Sequence, residues 1–259
     1  MRRKMTKPEV NVPAINGKNN WSVWYDDEVM EAPSVEHFKP SFWNARDAMT
    51  GSAGGRRLAY FIEDNAELAR AEALHMVLRH YYRGGLIAKL NEDLFVGWQV
   101  ARSRAMQEFS LLADMYQAGL PVPKPYAALF SQHGLFYRSD ILIERLPCDS
   151  DLYTALQKQP LSSSQWQQLG KIIAQFHQAG IYHSDLNCHN ILIRQQGAHT
   201  DFWIIDFDKC KQRSQGKWQD ENLARLLRSL NKEKQRHTSF QFSLQDWRHL
   251  MDGYHEIAS

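Results

Sequence analysis

Between Ile181 and Asp208 the chain sets three side chains suited to metal and proton chemistry among apolar runs, and few folds accommodate that arrangement. The sequence reads Ile-Tyr-His-Ser-Asp-Leu-Asn-Cys-His-Asn-Ile-Leu from Ile181, then Trp-Ile-Ile-Asp-Phe-Asp from Trp203. Ile191 to Ile193 and Phe202 to Ile205 read as two buried strands. Asp185 can accept a proton from an attacking hydroxyl. Asn190 has a side-chain oxygen suited to a hard cation, and Asp206 can hold Mg²⁺ against nucleotide phosphates. A polar turn between buried strands is the plainer account, but it leaves all three side chains unexplained. The chemistry indicated is metal-assisted phosphoryl transfer, with ATP and Mg²⁺ as the small molecules required.

The spacing His-x-Asp-Leu-x-x-x-Asn, followed by Ile-Asp-Phe, is close to the catalytic-loop and metal-loop patterns of kinases. The remaining chain fits an α+β, protein-kinase-like bilobal fold with a β-rich N-lobe and a compact, mostly helical C-lobe. Residues 1–40 read as an arm with a first strand near Trp21 to Tyr25, residues 41–146 as the N-lobe, and 147–259 as the C-lobe. Within the N-lobe, the small residues from Thr50 to Gly55, ending in Arg56 and Arg57, read either as a loop covering phosphates or as a plain hairpin turn. Gly51, Ser52, Gly55 and Arg56 are the candidates there. The strand Leu74 to Tyr82 carries Arg79 where most kinases place Lys, and Arg can grip phosphate in bidentate fashion. A helix from Ser103 to Ala118 stops at Gly119, with Pro121 and Pro123 beyond, and its Glu108 is the acid expected to pair with Arg79. The crossover between lobes is Ile141 to Pro147, where backbone groups from Glu144 to Leu146 would meet adenine.

In the C-lobe, Asp149 to Lys158 reads as a short helix. Ser162 to Ala179 is a longer one, with Trp166, Leu169, Ile172, Ile173 and Phe176 on one face and a Ser162/Gln165 capping box. His177 is expected to pack rather than react. Asp220 to Leu230 and a segment holding Trp247, Leu250, Tyr254 and Ile257 complete the helices. Three cysteines, Cys148, Cys188 and Cys210, lack metal-ligand spacing and fit reduced thiols. No apolar run reaches the roughly 18 residues of a membrane span, and no apolar stretch follows Arg2-Arg3-Lys4 as a secretory signal would require. The net charge is only +2, yet Asp208 to Arg236 holds nine Lys/Arg against four Asp/Glu. Such patches suit phosphorylated or anionic lipid partners, or are plain solvated faces. No nucleic-acid recognition motif accompanies them.

The chain resembles the 3-deoxy-D-manno-octulosonic acid (Kdo) kinases of lipopolysaccharide assembly from about Asp47 to about Arg228. The resemblance rests on Gly51-Ser52-Ala53-x-Gly55-Arg56, the run Leu78-Arg79-His80-Tyr81-Tyr82-Arg83-Gly84-Gly85-Leu86, Glu144-Arg145-Leu146-Pro147, and His183 to Asn190. The Arg-His-Tyr-x-Arg-Gly-Gly run discriminates, because ordinary protein kinases lack it. This resemblance implies ATP-dependent phosphorylation of the 4-hydroxyl of Kdo on a Kdo-bearing lipid A precursor. It also implies peripheral attachment to the cytoplasmic face of the inner membrane. Basic residues from Arg83 to Arg104 or the C-terminal basic stretch would then dock the acceptor, and Trp98, Tyr81 and Tyr82 would either rest at the headgroup level or belong to the core.

The chain departs from the general kinase pattern at Asp206-Phe207-Asp208, which replaces Asp-Phe-Gly, and at Ser184, where many protein kinases carry Arg. No Ala-Pro-Glu segment follows. With about 50 residues after Asp206 there is little room for an activation segment and a peptide-docking subdomain, which favours a small or lipid-linked acceptor over a protein. The alternatives are a lipopolysaccharide heptose kinase, an antibiotic phosphotransferase, or an inactive kinase-like scaffold at a membrane.

Overall fold

The computed structural model describes residues 9–12 (backbone only), 21–53, 58–65, 67–69, 71–82, 94–97, 99–197 and 199–258. These form two compact units. One runs to Ala113 and adds Pro123–Leu146; the other takes Asp114–Val122 and the chain from Pro147 on. The short excursion belongs with the second unit because the Ile204 N–H donates to the Pro121 carbonyl at 3.1 Å.

The first unit is built on β1 (Glu9–Val12), β2 (Trp21–Tyr25), α1 (Pro40–Asn44), β3 (Met49–Ala53), β4 (Ala59–Asp64), β5 (Leu74–His80), β6 (Phe95–Val96), the first part of α2 (Arg104–Gln117), β7 (Pro125–His133) and β8 (Phe136–Glu144). The strands make one sheet in the order β1-β2-β7-β8-β5-β4-β3, with β6 also on β8. Every pairing is antiparallel. Side chains alternate along a strand, so Leu74, Met76 and Leu78 of β5 turn into a cluster with Val23, Met30, Trp43 and Ile62. Arg79 therefore turns to the opposite face. Helix α2 buries Ala105, Met106, Phe109 and Leu112 and ends where Gly119 adopts φ +78°, a conformation that glycine accepts without a Cβ clash.

The expected loop from Gly51 is corrected here. Gly51 and Ser52 lie inside β3, opposite Phe61 and Tyr60 of β4, with a bulge between Met49 and Gly51. Ladder bonds to β4 hold a sequence whose small residues alone favour a turn. Gly55 and Arg56 lie outside the described residues, as do Arg83, Lys89 and Trp98.

The second unit comprises β9 (Ser150–Asp151), α3 (Leu152–Lys158), α4 (Ser163–Gln178), β10 (Ile181–Tyr182), β11 (Ile191–Gln196), β12 (His199–Ile204), β13 (Lys211–Gln212), α5 (Trp218–Arg236) and α6 (Leu244–Ala258). Helix α4 starts with the expected box: Gln165 N–H donates to Ser162 Oγ at 3.2 Å, and Ser162 N–H to Gln165 Oε1 at 2.7 Å. Its Trp166, Leu169, Ile173 and Phe176 are buried. Helices α4 and α6 cross with backbones almost touching. A Cβ on Gly170 would lie 1.9 Å from the Leu250 carbonyl oxygen, and one on Gly253 would lie 2.0 Å from that of Gln167. Only glycine fits at that crossing. Below α4, β11 and β12 pair as a hairpin, with β9 on the far side of β11. This hairpin brings the chain ends at Asn190 and Ile205 side by side. No helix among the described residues is long and apolar enough to cross a membrane.

Candidate active site

Two groups of polar residues stand out, one in each unit. In the first, Arg79 leaves β5 on the face opposite the apolar cluster and meets α2. Its Nη1 donates to Glu108 Oε1 at 2.9 Å. The Tyr81 hydroxyl donates to the second oxygen, Oε2. Glu108 is 2% exposed, so burying its charge is tolerable only because both oxygens are bonded and a cation adjoins it. The sequence-expected pair of Arg79 and Glu108 is thus brought together. Tyr81, for which the sequence left a headgroup and a core placement open, is 4% exposed and holds Glu108. The Arg104 guanidinium lies 5.4 Å from the Tyr81 ring centre and closes the group from outside.

Glu144 and Leu146 follow at the end of β8. The N–H groups of Glu144 and Arg145 are consumed within the first unit, donating to the carbonyls of Lys124 and His75 at 2.8 Å each. The Glu144 carboxylate accepts the Lys124 N–H at 3.0 Å. That side chain serves to join β8 to the segment before β7.

The second group is the loop between β10 and β11 together with the end of β12. Backbone bonding fixes it. Asp185 N–H donates to His183 Nδ1 at 3.1 Å, and His183 Nε2 donates to the Ile205 carbonyl at 3.0 Å. These partners specify the neutral Nε2–H tautomer. Burial, the largest influence, also pushes the His183 pKa down, which keeps the ring neutral. The Asp185 carbonyl accepts two side-chain amides, those of Asn187 and Asn190, both at 3.0 Å. An amide that gives its N–H₂ to a carbonyl turns its own oxygen elsewhere, so Asn190 Oδ1 becomes the acceptor. Ile205 N–H bonds the Asn190 carbonyl at 3.0 Å, and Asp206 comes next with φ +66°. Asn190 and Asp206 are therefore neighbours by backbone geometry. Phe207 anchors this corner at 1% exposure, stacked on Phe176.

Among the described residues no three His, Cys, Asp or Glu side chains converge as a metal cage. The donor set present is one carboxylate and one amide oxygen. That suits Mg²⁺, which commonly takes one or two protein oxygens and completes its shell with water and phosphate.

Helix α5 contributes residues that the sequence pattern did not mark. Asn222, 1% exposed, accepts the His183 N–H at 3.1 Å and donates to the His183 carbonyl at 2.9 Å. Ser229 Oγ accepts the Cys188 N–H at 3.3 Å. Arg225 Nη1 lies 3.6 Å from Asp185 Oδ1, with the two side chains 43% and 61% exposed. Cys188 is a buried thiol whose pKa is pushed up to about 11 by burial, which makes it a packing residue rather than a nucleophile.

An exposed acid on a clamped loop, a cation-ready oxygen pair and, in the other unit, an arginine held by a buried acid are parts that phosphoryl transfer uses. A family model described as the lipopolysaccharide kinase (Kdo/WaaP) family matches residues 40–254. The chain belongs to that family. A relative from Mannheimia succiniciproducens, named 3-deoxy-D-manno-octulosonic acid kinase, is 43% identical over 93% of this chain and 98% of its own length. Another of that name, from Vibrio parahaemolyticus, is 43% identical over 83% of this chain and 86% of its own length. A solved structure titled WaaP in complex with acyl carrier protein superposes with a TM-score of 0.52 at 15% identity, covering 83% of this chain and 82% of that one. That likeness supports the kinase-like α+β fold of the Kdo/WaaP family for this chain.

Proposed function

We propose that this chain transfers the γ-phosphoryl group of ATP to the 4-hydroxyl of Kdo on a Kdo-bearing lipid A precursor in lipopolysaccharide core assembly. It works while attached peripherally to the cytoplasmic face of the inner membrane. The observation that carries the reading is the loop geometry. Asp185 presents an exposed carboxylate on a backbone clamped by His183, Asn187 and Asn190. Near 43% identity along almost the full length of relatives named for Kdo supplies the acceptor.

In the transfer, Asp185 orients the sugar hydroxyl and takes its proton. The acceptor oxygen bonds to the γ-phosphorus as the bond from that phosphorus to the ADP oxygen breaks. Arg79, held by Glu108 and Tyr81, grips the phosphates. Gly55 and Arg56, which follow β3 in the chain, are assigned to the phosphates as well, and backbone groups of Glu144 and Leu146 meet adenine. Asn190 Oδ1 and Asp206 would hold Mg²⁺, whose charge would offset that of the phosphates.

The test is label transfer from γ-labelled ATP to a Kdo-bearing lipid A precursor. A precursor lacking Kdo and a heptosylated core are run in parallel. Label confined to the Kdo-bearing lipid, mapped to its 4-oxygen, is expected. Label on the heptosylated core alone would overturn the acceptor while keeping the chemistry. Co-sedimentation of the chain with inner-membrane vesicles tests the location.

A further inference from the structure

Along α5 the residues Asn222, Arg225 and Ser229 recur at helical spacing and form one stripe. Each meets a different point of the loop: Asn222 at His183, Arg225 at Asp185, Ser229 at Cys188. The outer two contacts are hydrogen bonds to backbone, and they fix the helix in register with the loop. The middle one is different. At 3.6 Å it is longer than a hydrogen bond, and an ion pair this exposed adds little stability. Arg225 is therefore not what holds α5 in place. It is carried on a helix that the outer contacts hold in place. No hydrogen bond among the described residues engages its guanidinium, which carries five donors.

The loop offers no cation of its own, because residues 184–190 include neither Lys nor Arg. Asn187 is committed to Asp185 and His189, and His189 faces Asp151 at 3.2 Å. Yet phosphoryl transfer spreads negative charge over oxygens close to the base, and an arginine aimed at that charge is a common way to stabilise it.

We propose that Arg225 is the oxyanion-binding cation of the transfer site, reaching from α5 to an anionic group of the reactants beside Asp185. This rests on the phosphotransferase reading above. Two oxyanions have the right chemistry: the phosphoryl group in flight and the carboxylate of the acceptor sugar.

The experiment compares the full chain with Arg225→Gln and Arg225→Ala. It measures kcat and the acceptor KM with an ordinary Kdo-bearing acceptor and with one whose carboxylate is reduced to an alcohol. Nucleotide affinity and melting temperature are followed in parallel. Methylguanidinium is added to the Ala variant to refill the missing group. The expected result is a loss of roughly 100-fold in kcat/KM for both variants, partly restored by methylguanidinium. A loss in kcat that is equal for both acceptors identifies the phosphoryl oxygens. A rise in acceptor KM that vanishes with the reduced acceptor identifies the carboxylate. Rates within threefold of wild type overturn the proposal, and so does a loss that methylguanidinium leaves unrestored, which marks a structural support. If wild type labels no Kdo-bearing acceptor, it is the function assignment that fails. Arg225 is then judged on kcat and rescue with whichever acceptor wild type does use, or on ATP hydrolysis.

Discussion

Glu108 and Asp185 are both acids at the proposed transfer machinery, and the protein treats them in opposite ways. Glu108 is buried with each oxygen bonded to a side chain, by Arg79 and Tyr81. Asp185 has its main chain bonded on both sides, while its carboxylate is 61% exposed. A carboxylate saturated by donors is a bracket. It keeps an arginine straight, and its burial keeps a reactant away. A carboxylate whose backbone alone is tied keeps its position and its reactivity together. The difference lies in which atoms the neighbours consume.

The sharpest way to break this contrast is at the acids themselves. Asp185→Asn should lower turnover by roughly 10²–10⁴-fold, the scale of a general base, with melting temperature and nucleotide affinity near wild type. A large stability loss in that variant would erase the distinction. Glu108→Ala should show the reverse pattern. Removing one partner of a buried pair costs about 2–4 kcal/mol here, at or below the usual range because Arg79 retains 24% exposure. Urea unfolding would show the cost, and KM for ATP should rise.

Acid sharpens the contrast further, because the loop's supports include two buried histidines. Burial pushes His177 down to about 4 and lowers His183 as well. The unfolded chain binds these protons below the ordinary value of 6.5, and the folded chain does not until the pH is much lower. Stability is therefore full above pH 6.5 and falls as the pH drops from there towards 4, by roughly 3 kcal/mol for His177 alone. His177→Gln should flatten that slope in urea midpoints taken across the interval. The smallest effect is expected at Asn222→Ala. Leaving the His183 backbone without its side-chain partners costs about 1–3 kcal/mol, and a loosened loop should lower kcat about tenfold without moving KM for ATP.

The loop chemistry was legible in the sequence because Asp185, Asn190 and Asp206 lie close along the chain, and short-range geometry brings them together. Helices α2 and α4 were equally plain, since apolar spacing, a capping box and stop signals agree there. Arg79 and Glu108 could be matched only through the kinase-like pattern, and the structure sets them 2.9 Å apart. Asn222, Arg225 and Ser229 were invisible for a physical reason. Helical periodicity reports which face is apolar and is silent about what its polar stripe touches some forty residues away. Tyr81 could not be placed from sequence because an aromatic ring suits a core and an interface alike; two residues past Arg79, it turns to the same face and meets the same acid. Gly51 and Ser52 misled because pairing with β4 overrides weak strand propensity.

The stripe on α5 works as a ruler laid against the loop. From Asn222 to Ser229 the helix rises about 10 Å, and that length is matched to the distance from His183 to Cys188. One residue inserted between Asn222 and Ser229 would turn part of the stripe away by about 100° and misalign the outer contacts together. Changes of length in this loop and in this helix can therefore survive only as compensating pairs.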